Sequence, residues 1–178
     1  MTSTDLRLAS TLGIDTSEHV SWTIDCPAPG TLIIDVAVGH AASAVPLHWR
    51  AGDWTKPPLD FRLSERGALE SVQVVLQDEE VSEDEGAALP ATVRGCPVFH
   101  VGDWPEGRYM DVRTSVKILR LPSGELHAVI GDRMPEQSIV VAEGLRLEVD
   151  TARRLVGAVI GPLSVSEWRK VQLASPGA

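Results

Sequence analysis

Residues 143–163 read EGLRLEVDTARRLVGAVIGPL, two runs of alternating apolar residues separated by a polar turn. This alternation is typical of half-buried β-strands, so the stretch predicts a β-hairpin. A second stretch, PLDFRLSERGALESVQVVL at residues 58–76, aligns with it without a gap at an offset of 86 residues. The coinciding apolar residues are Leu59 with Leu145, Phe61 with Leu147, Leu63 with Val149, Leu69 with Leu155 and Val74 with Ile160. The recurrence predicts two similar β units. Because any two β-hairpins share alternation, a chance likeness stays open beside true duplication.

Several further short segments have the composition of strands. Predicted strands lie at residues 19–26, 31–38, 45–50, 115–121, 125–131 and 138–142. Segment 31–38, TLIIDVAV, is rich in β-branched residues, which predicts burial on both faces. Pro46 favours an edge position for the strand at 45–50. Residues 96–114, punctuated by glycine and proline, are expected to form an irregular loop with at most a short strand.

The end of the chain carries a helix signal. Ser164 followed three residues later by Glu167 fits a capping box, and Leu163 before the cap can pack against Trp168 as a hydrophobic staple. We therefore expect a short helix near residues 165–172, lying on the sheet through Trp168 and Val171.

Together these segments predict a mainly β protein with a short C-terminal helix. The expected architecture is an antiparallel sandwich or a strongly bent sheet, built from two similar β-meander units. With 178 residues the chain is expected to form a single domain, 1–178. The pseudo-repeat units would be 20–78 and 96–163, joined by an acidic linker at 78–95.

Composition excludes some classes of function. The net charge of −9, with scattered basic residues, argues against nucleic-acid binding. No apolar run reaches the roughly 18 residues that cross a bilayer, and the N-terminus lacks a secretory signal pattern, so we expect a cytoplasmic protein without membrane contact. Cys26 and Cys96 are then expected to be reduced and buried. The absence of asparagine and the excess of arginine over lysine indicate a GC-rich bacterial genome.

The sequence contains few candidates for catalysis. Gly-Asp-Trp occurs at residues 52–54 and 102–104. Asp53 and Asp103 could form a carboxylate pair, with His100 nearby in a cleft between the units, which would indicate a hydrolase or small-ligand binder. The simpler interpretation of both tripeptides is a turn that docks a tryptophan on the sheet. A zinc site using Cys96 and His100 is disfavoured because Cys26 has only His19 as a nearby second ligand, so no metal or cofactor is expected.

The most concentrated charge lies at residues 78–85. A run of this kind is most often a solvated loop, but it can also attract a basic partner. The main functional hypothesis is a non-catalytic protein-binding module, such as an immunity-type protein that masks a basic protein partner. The predicted binding residues are Trp54, Glu79, Glu80, Glu83, Asp84, Glu85 and Trp104. The sequence leaves the oligomeric state open.

Overall fold

The computed structural model describes residues 4–12, 20–39, 43–77, 81–84 and 90–174, and the described residues form fifteen strands and one helix. The first eight strands are β1 Leu8–Leu12, β2 Val20–Ala28, β3 Thr31–Val38, β4 Leu47–Gly52, β5 Leu59–Leu63, β6 Leu69–Gln77, β7 Val81–Glu83 and β8 Ala91–Arg94. The remaining elements are β9 Cys96–Phe99, β10 Tyr109–Arg113, β11 Val116–Arg120, β12 Leu126–Ile130, β13 Gln137–Ala142, β14 Leu145–Val149, β15 Leu155–Ile160 and α1 Val165–Leu173. The prediction of a mainly β protein with a short C-terminal helix is confirmed.

The strands form three sheets. The order is β10-β4-β5-β6-β3-β2 in a six-stranded sheet, β7-β11-β12-β15-β14-β13-β8 in a seven-stranded sheet, and β1-β9 in a two-stranded one. Within the larger sheets, β2-β3-β6-β5-β4 and β11-β12-β15-β14-β13 share one connectivity, an antiparallel hairpin followed by a three-strand meander. The two halves therefore have the same topology, and their origin by duplication stays a prediction.

A common hydrophobic core lies between the two larger sheets. Alternate residues of each strand face inward, such as Phe61 on β5 and Leu147 on β14, which are both fully buried. These side chains belong to one core cluster with Trp49 and Ile139. Full burial of an aliphatic or phenylalanine side chain contributes roughly 1.5–3 kcal/mol relative to exposure. The arrangement fits the predicted sandwich.

Each half of the chain contributes a strand that pairs with a strand of the other half. β10 follows the acidic segment in sequence, yet it pairs in parallel with β4 of the six-stranded sheet. β1 pairs with β9 in an antiparallel ladder. The expectation that Pro46 places its strand at an edge is wrong, because β4 lies between β10 and β5. The expectation of an irregular loop at 96–114 is likewise too simple, because this stretch contains β9 and β10.

The burial of strand β3 and of Cys26 differs from what the sequence predicts. β3 is not buried on both faces: its residues alternate between buried and half-buried, because only one face meets the core. Cys26 lies exposed on the edge strand β2, whereas Cys96 is buried as expected. The proposed linker at 78–95 contains β7 and β8, which pair in parallel with β11 and β13 at the two edges of the seven-stranded sheet.

Helix α1 begins as predicted. The Ser164 hydroxyl accepts a hydrogen bond from the Glu167 amide, and the Glu167 carboxylate accepts one from the Ser164 amide, which completes the capping box. Burial raises the pKa of Glu167, but hydrogen bonds from Ser164 and from the Trp22 indole outweigh it, so this pKa lies below its ordinary value. Trp168 and Val171 are the buried residues of the helix. In the described part of the chain, no helix is long and apolar enough to cross a membrane.

Candidate functional site

The outer face of the six-stranded sheet carries a group of aromatic and charged side chains. Its members are His48, Arg50, Trp54, Tyr109 and Asp111, and we call them the aromatic–arginine patch. On β4, His48 and Arg50 alternate with core residues and so point away from the core. The parallel register places Tyr109 beside His48 and Asp111 beside Arg50.

Arg50 is the centre of this patch. Its Nε and Nη2 atoms donate hydrogen bonds to the two carboxylate oxygens of Asp111, at 2.7 and 2.8 Å. This two-point hydrogen bond to Asp111 is the main reason that the pKa of Arg50 is raised. The guanidinium carbon lies 4.5 Å from the centroid of the Tyr109 ring and 5.6 Å from that of the Trp54 ring. Both distances are within the range of a cation–π contact.

A hydrogen bond between His48 and Asp60 supports the patch. His48 stacks on Tyr109 with the ring centroids 4.6 Å apart. The Nδ1 atom of His48 lies 2.9 Å from a carboxylate oxygen of Asp60, a residue that is buried although it faces outward. Arg62 Nε lies 3.6 Å from the same oxygen. The imidazole is therefore held in one orientation, which keeps Tyr109 in place.

Trp54 is displayed to solvent by the turn that follows β4. Its backbone has φ of 68°, a left-handed conformation that costs a non-glycine residue about 1–3 kcal/mol. Asp53 holds the turn by accepting hydrogen bonds from the amide and hydroxyl of Thr55. These bonds from Thr55 keep the pKa of Asp53 below its ordinary value. Trp54 is 41% exposed and Tyr109 is 48% exposed, so the patch offers two large aromatic surfaces.

The two tryptophans predicted for binding have different environments. Trp54 is exposed and lies beside Arg50. Trp104 is half-buried against the core, and its indole Nε1 donates to the backbone oxygen of Arg108 at 3.0 Å. The interpretation as a docked turn tryptophan therefore fits Trp104, whereas Trp54 is exposed to solvent.

The acidic residues predicted for binding are only partly described. Glu79, Glu80 and Glu85 lie outside the described residues. Glu83 is exposed at the end of β7, with its carboxylate 3.5 Å from the Arg120 guanidinium, and the Asp84 amide donates to the Arg120 carbonyl oxygen. The described part of the acidic run thus lies at an edge of the seven-stranded sheet.

The alternative catalytic residues are divided between two recesses. His100 and Asp103 line one recess of 210 Å³ together with Asp5 and Arg7. Asp53 lines a different one, beside Lys56 and Ser115. Asp53 and Asp103 therefore lie in different recesses. Among the described residues, no group of three or more histidine, cysteine, aspartate or glutamate side chains is arranged to hold a metal ion.

Sequence reasoning missed four members of the patch, namely His48, Arg50, Tyr109 and Asp111. His48 and Arg50 occupy alternate positions of a predicted strand, so a search for paired outward residues could have found them. Tyr109 and Asp111 belong to β10, whose parallel partner is distant in sequence and leaves no local signal. In comparisons with known proteins, the chain matches no family model and no curated protein.

Proposed function

We propose that the chain is a non-catalytic protein-binding module that uses the aromatic–arginine patch as its contact surface. The proposal rests on one observation: two exposed aromatic rings, Trp54 and Tyr109, flank an arginine that Asp111 holds in place. Tryptophan, tyrosine and arginine are the residues that most often dominate binding energy at protein interfaces. Val45, which precedes β4 in the chain, is a further exposed apolar residue.

The charge of the molecule favours a basic partner. The net charge of −9 attracts a positively charged protein over long distances, and the acidic residues 78–85 concentrate that charge. A cytoplasmic immunity-type protein that masks a basic partner is the concrete version that we propose. Attraction of this kind accelerates association, whereas the aromatic rings supply most of the affinity.

The test is affinity capture followed by measurement of binding constants. Immobilised protein is used to capture a partner from an extract of the source cells, and the dissociation constant is then measured with the purified partner. Trp54→Ala and Tyr109→Ala should each weaken binding by about 30-fold, the effect of losing about 2 kcal/mol at a hot spot. Leu173→Ala is the matched control, since Leu173 is a 72% exposed apolar residue on α1.

The acidic residues are tested by kinetics. Replacing Glu79, Glu80, Glu83 and Glu85 by glutamine should slow association and reduce its salt dependence, with a smaller effect on dissociation. The proposal fails if both aromatic variants bind as tightly as the Leu173 control. A basic partner is ruled out if the affinity does not change between low and high salt.

A second candidate function is a hydrolase or small-ligand binder that uses the recess containing His100 and Asp103. Its support is that these two predicted residues line one recess with a further carboxylate, Asp5. Hydrolysis of chromogenic glycosides and esters by the wild-type protein, abolished by both His100→Ala and Asp103→Asn, would favour this function. Equal background rates in all three proteins would exclude it for these substrates.

A further inference from the structure

Strand β2 is the longest edge strand of the two larger sheets. It has nine residues, whereas the other edge strands have three in β7, four in β8 and five in β10. Within the described part of the chain, its one neighbour in the sheet is β3. An edge strand directs the backbone N–H and C=O groups of every second residue away from its sheet. β2 therefore presents a row of hydrogen-bonding groups to a further strand.

The equivalent edge of the other sheet is occupied. β2 corresponds to β11 in the connectivity that the two larger sheets share. β11 pairs in parallel with β7, and Val81 of β7 packs against the core. Beside β2 the described residues supply no such strand. The comparison between the two sheets indicates that this edge has room for one more strand.

Most of β2 lacks the features that usually prevent further pairing. Natural edge strands are protected by short length, by lysine or proline, or by bulges. Pro27 and an irregular register between Asp25 and Ala28 affect only the end of β2. From Val20 to Asp25 the register with β3 is continuous, and Asp25 is the one charged residue of this segment. Residues 20–25 therefore form a regular edge.

Apolar and polar side chains alternate along this segment. Trp22 and Ile24 are half-buried and pack against the core, whereas Ser21, Thr23 and Asp25 are exposed on the other face. A strand paired with β2 would cover part of the apolar surface that solvent still reaches on the inner face. It would also meet hydroxyl and carboxylate groups on the outer face. The partner strand must therefore have the same alternation as β2 itself.

We infer that two copies of the chain pair through β2 in an antiparallel ladder centred on Thr23. Dimers with a twofold axis are the commonest oligomers, and such an axis makes two copies of one edge strand run antiparallel. Directly opposed residues in an antiparallel ladder share a face. This register places Thr23 opposite Thr23 of the second copy, Trp22 opposite its Ile24, and Ser21 opposite its Asp25.

Each of these pairs is compatible. Threonine pairs and aromatic–β-branched pairs are both favourable across strands, which suits Thr23 with Thr23 and Trp22 with Ile24. The Ser21 hydroxyl can donate a hydrogen bond to the opposed Asp25 carboxylate. The two Asp25 residues lie four positions apart along the ladder, about 14 Å at 3.4 Å per residue, so no like charges are directly opposed. The segment is therefore complementary to itself.

The dimer interface is separate from the aromatic–arginine patch. β2 and β10 are the two opposite edges of the six-stranded sheet, so pairing through β2 does not involve Trp54 or Tyr109. Each copy has a net charge of −9, and the resulting repulsion is screened by salt. Dimerisation should therefore strengthen as salt is added. Binding of a basic partner should weaken under the same conditions, so salt distinguishes this inference from the proposed function.

The first test measures the mass of the full chain by sedimentation equilibrium. A five-residue ladder buries less area than a standard protein interface, so the mass should rise from one chain toward two between about 1 μM and 1 mM. Thr23→Glu should raise the dissociation constant at least about tenfold, because it opposes like charges across the ladder. Thr92→Glu is the matched control, since Thr92 is an exposed threonine on the edge strand β8. Unchanged thermal unfolding of both variants shows that a loss of dimer is not a loss of folding.

The second test uses engineered cysteines to identify the register. In a Cys26→Ser background, Thr23→Cys should form a disulfide-linked dimer on mild oxidation. Opposed residues of antiparallel strands have Cα atoms about 4.5–5.5 Å apart, which a disulfide can span. Ser21→Cys in the same background is the control, because Ser21 is equally exposed on the same face but lies about 14 Å from its copy in this register.

Three results would each overturn the inference: the mass of a single chain over the whole concentration range, equal effects of the two glutamate variants, or equal cross-linking of the two cysteine variants. Cross-linking that requires a mixture of the Ser21→Cys and Thr23→Cys proteins would overturn the register, since it indicates a ladder centred on Trp22. Trp54→Ala should dimerise as the wild-type protein does, whether or not it binds the proposed partner.

Discussion

At the scale of single residues, each large sheet buries one carboxylate on its outer face and pairs it with a histidine. In the six-stranded sheet the pair is His48 with Asp60, on neighbouring strands. In the seven-stranded sheet Glu148 lies on β14 and His127 on β12, with their side-chain atoms 2.9 Å apart. These two strands are not neighbours, because β15 runs between them. The pair meets above Gly157 of β15, which has no side chain to separate it.

Replacing Gly157 by alanine should therefore destabilise the protein. The added Cβ atom would lie 2.9 Å from Glu148 Oε2, 3.1 Å from His127 Nε2 and 3.3 Å from the Ala128 carbonyl oxygen. These contacts would push the His127 and Glu148 side chains apart and leave polar groups buried without partners. We expect the free energy of unfolding, measured by urea denaturation, to fall by about 1–3 kcal/mol, which is typical of overpacking.

Gly102→Ala serves as the control for this prediction. A Cβ atom at Gly102 meets no other atom within 4 Å, so its substitution should change the unfolding free energy by less than about 0.5 kcal/mol. Equal stabilities of the two variants would show that the His127–Glu148 pair does not need the space above Gly157.

At the scale of elements, the sequence predicts those strands whose partners are close in the chain. The hairpins β5–β6, β11–β12 and β14–β15 are confirmed because alternation and turn residues are both local signals. Helix α1 is confirmed for the same reason, since its capping box lies within four residues. Local patterns therefore specify the antiparallel part of the fold.

Parallel pairing depends on contacts that such patterns do not record. β10 has the sequence YMDVR and pairs with β4, about 60 residues earlier in the chain. Because the sequence contains no turn that joins these strands, neither the internal position of β4 nor the site beside it could be predicted. The twin Gly-Asp-Trp tripeptides illustrate the same limit: local sequence cannot distinguish exposed Trp54 from half-buried Trp104.

At the scale of the whole molecule, the two halves of similar topology depend on each other. The second half supplies β10 to the six-stranded sheet, and the first half supplies β1 to pair with β9 and β7 to pair with β11. Both inner faces contribute to one core cluster. Separation of the halves would expose apolar faces and leave several strand edges without partners. We therefore expect that the halves are not independent domains, although they share a topology.

We accordingly expect the chain to unfold in a single cooperative transition. Urea unfolding curves followed by far-ultraviolet circular dichroism and by tryptophan fluorescence should coincide, because both sheets lose their common core together. Fragments 1–86 and 87–178, produced separately, should each lack a cooperative transition. The control is the intact protein cleaved once after residue 86, in which both halves are present and should stay associated and folded. Two resolved transitions in the whole chain, or a separate fragment that unfolds cooperatively, would mean that each half stabilises itself and that the exchanged strands are dispensable.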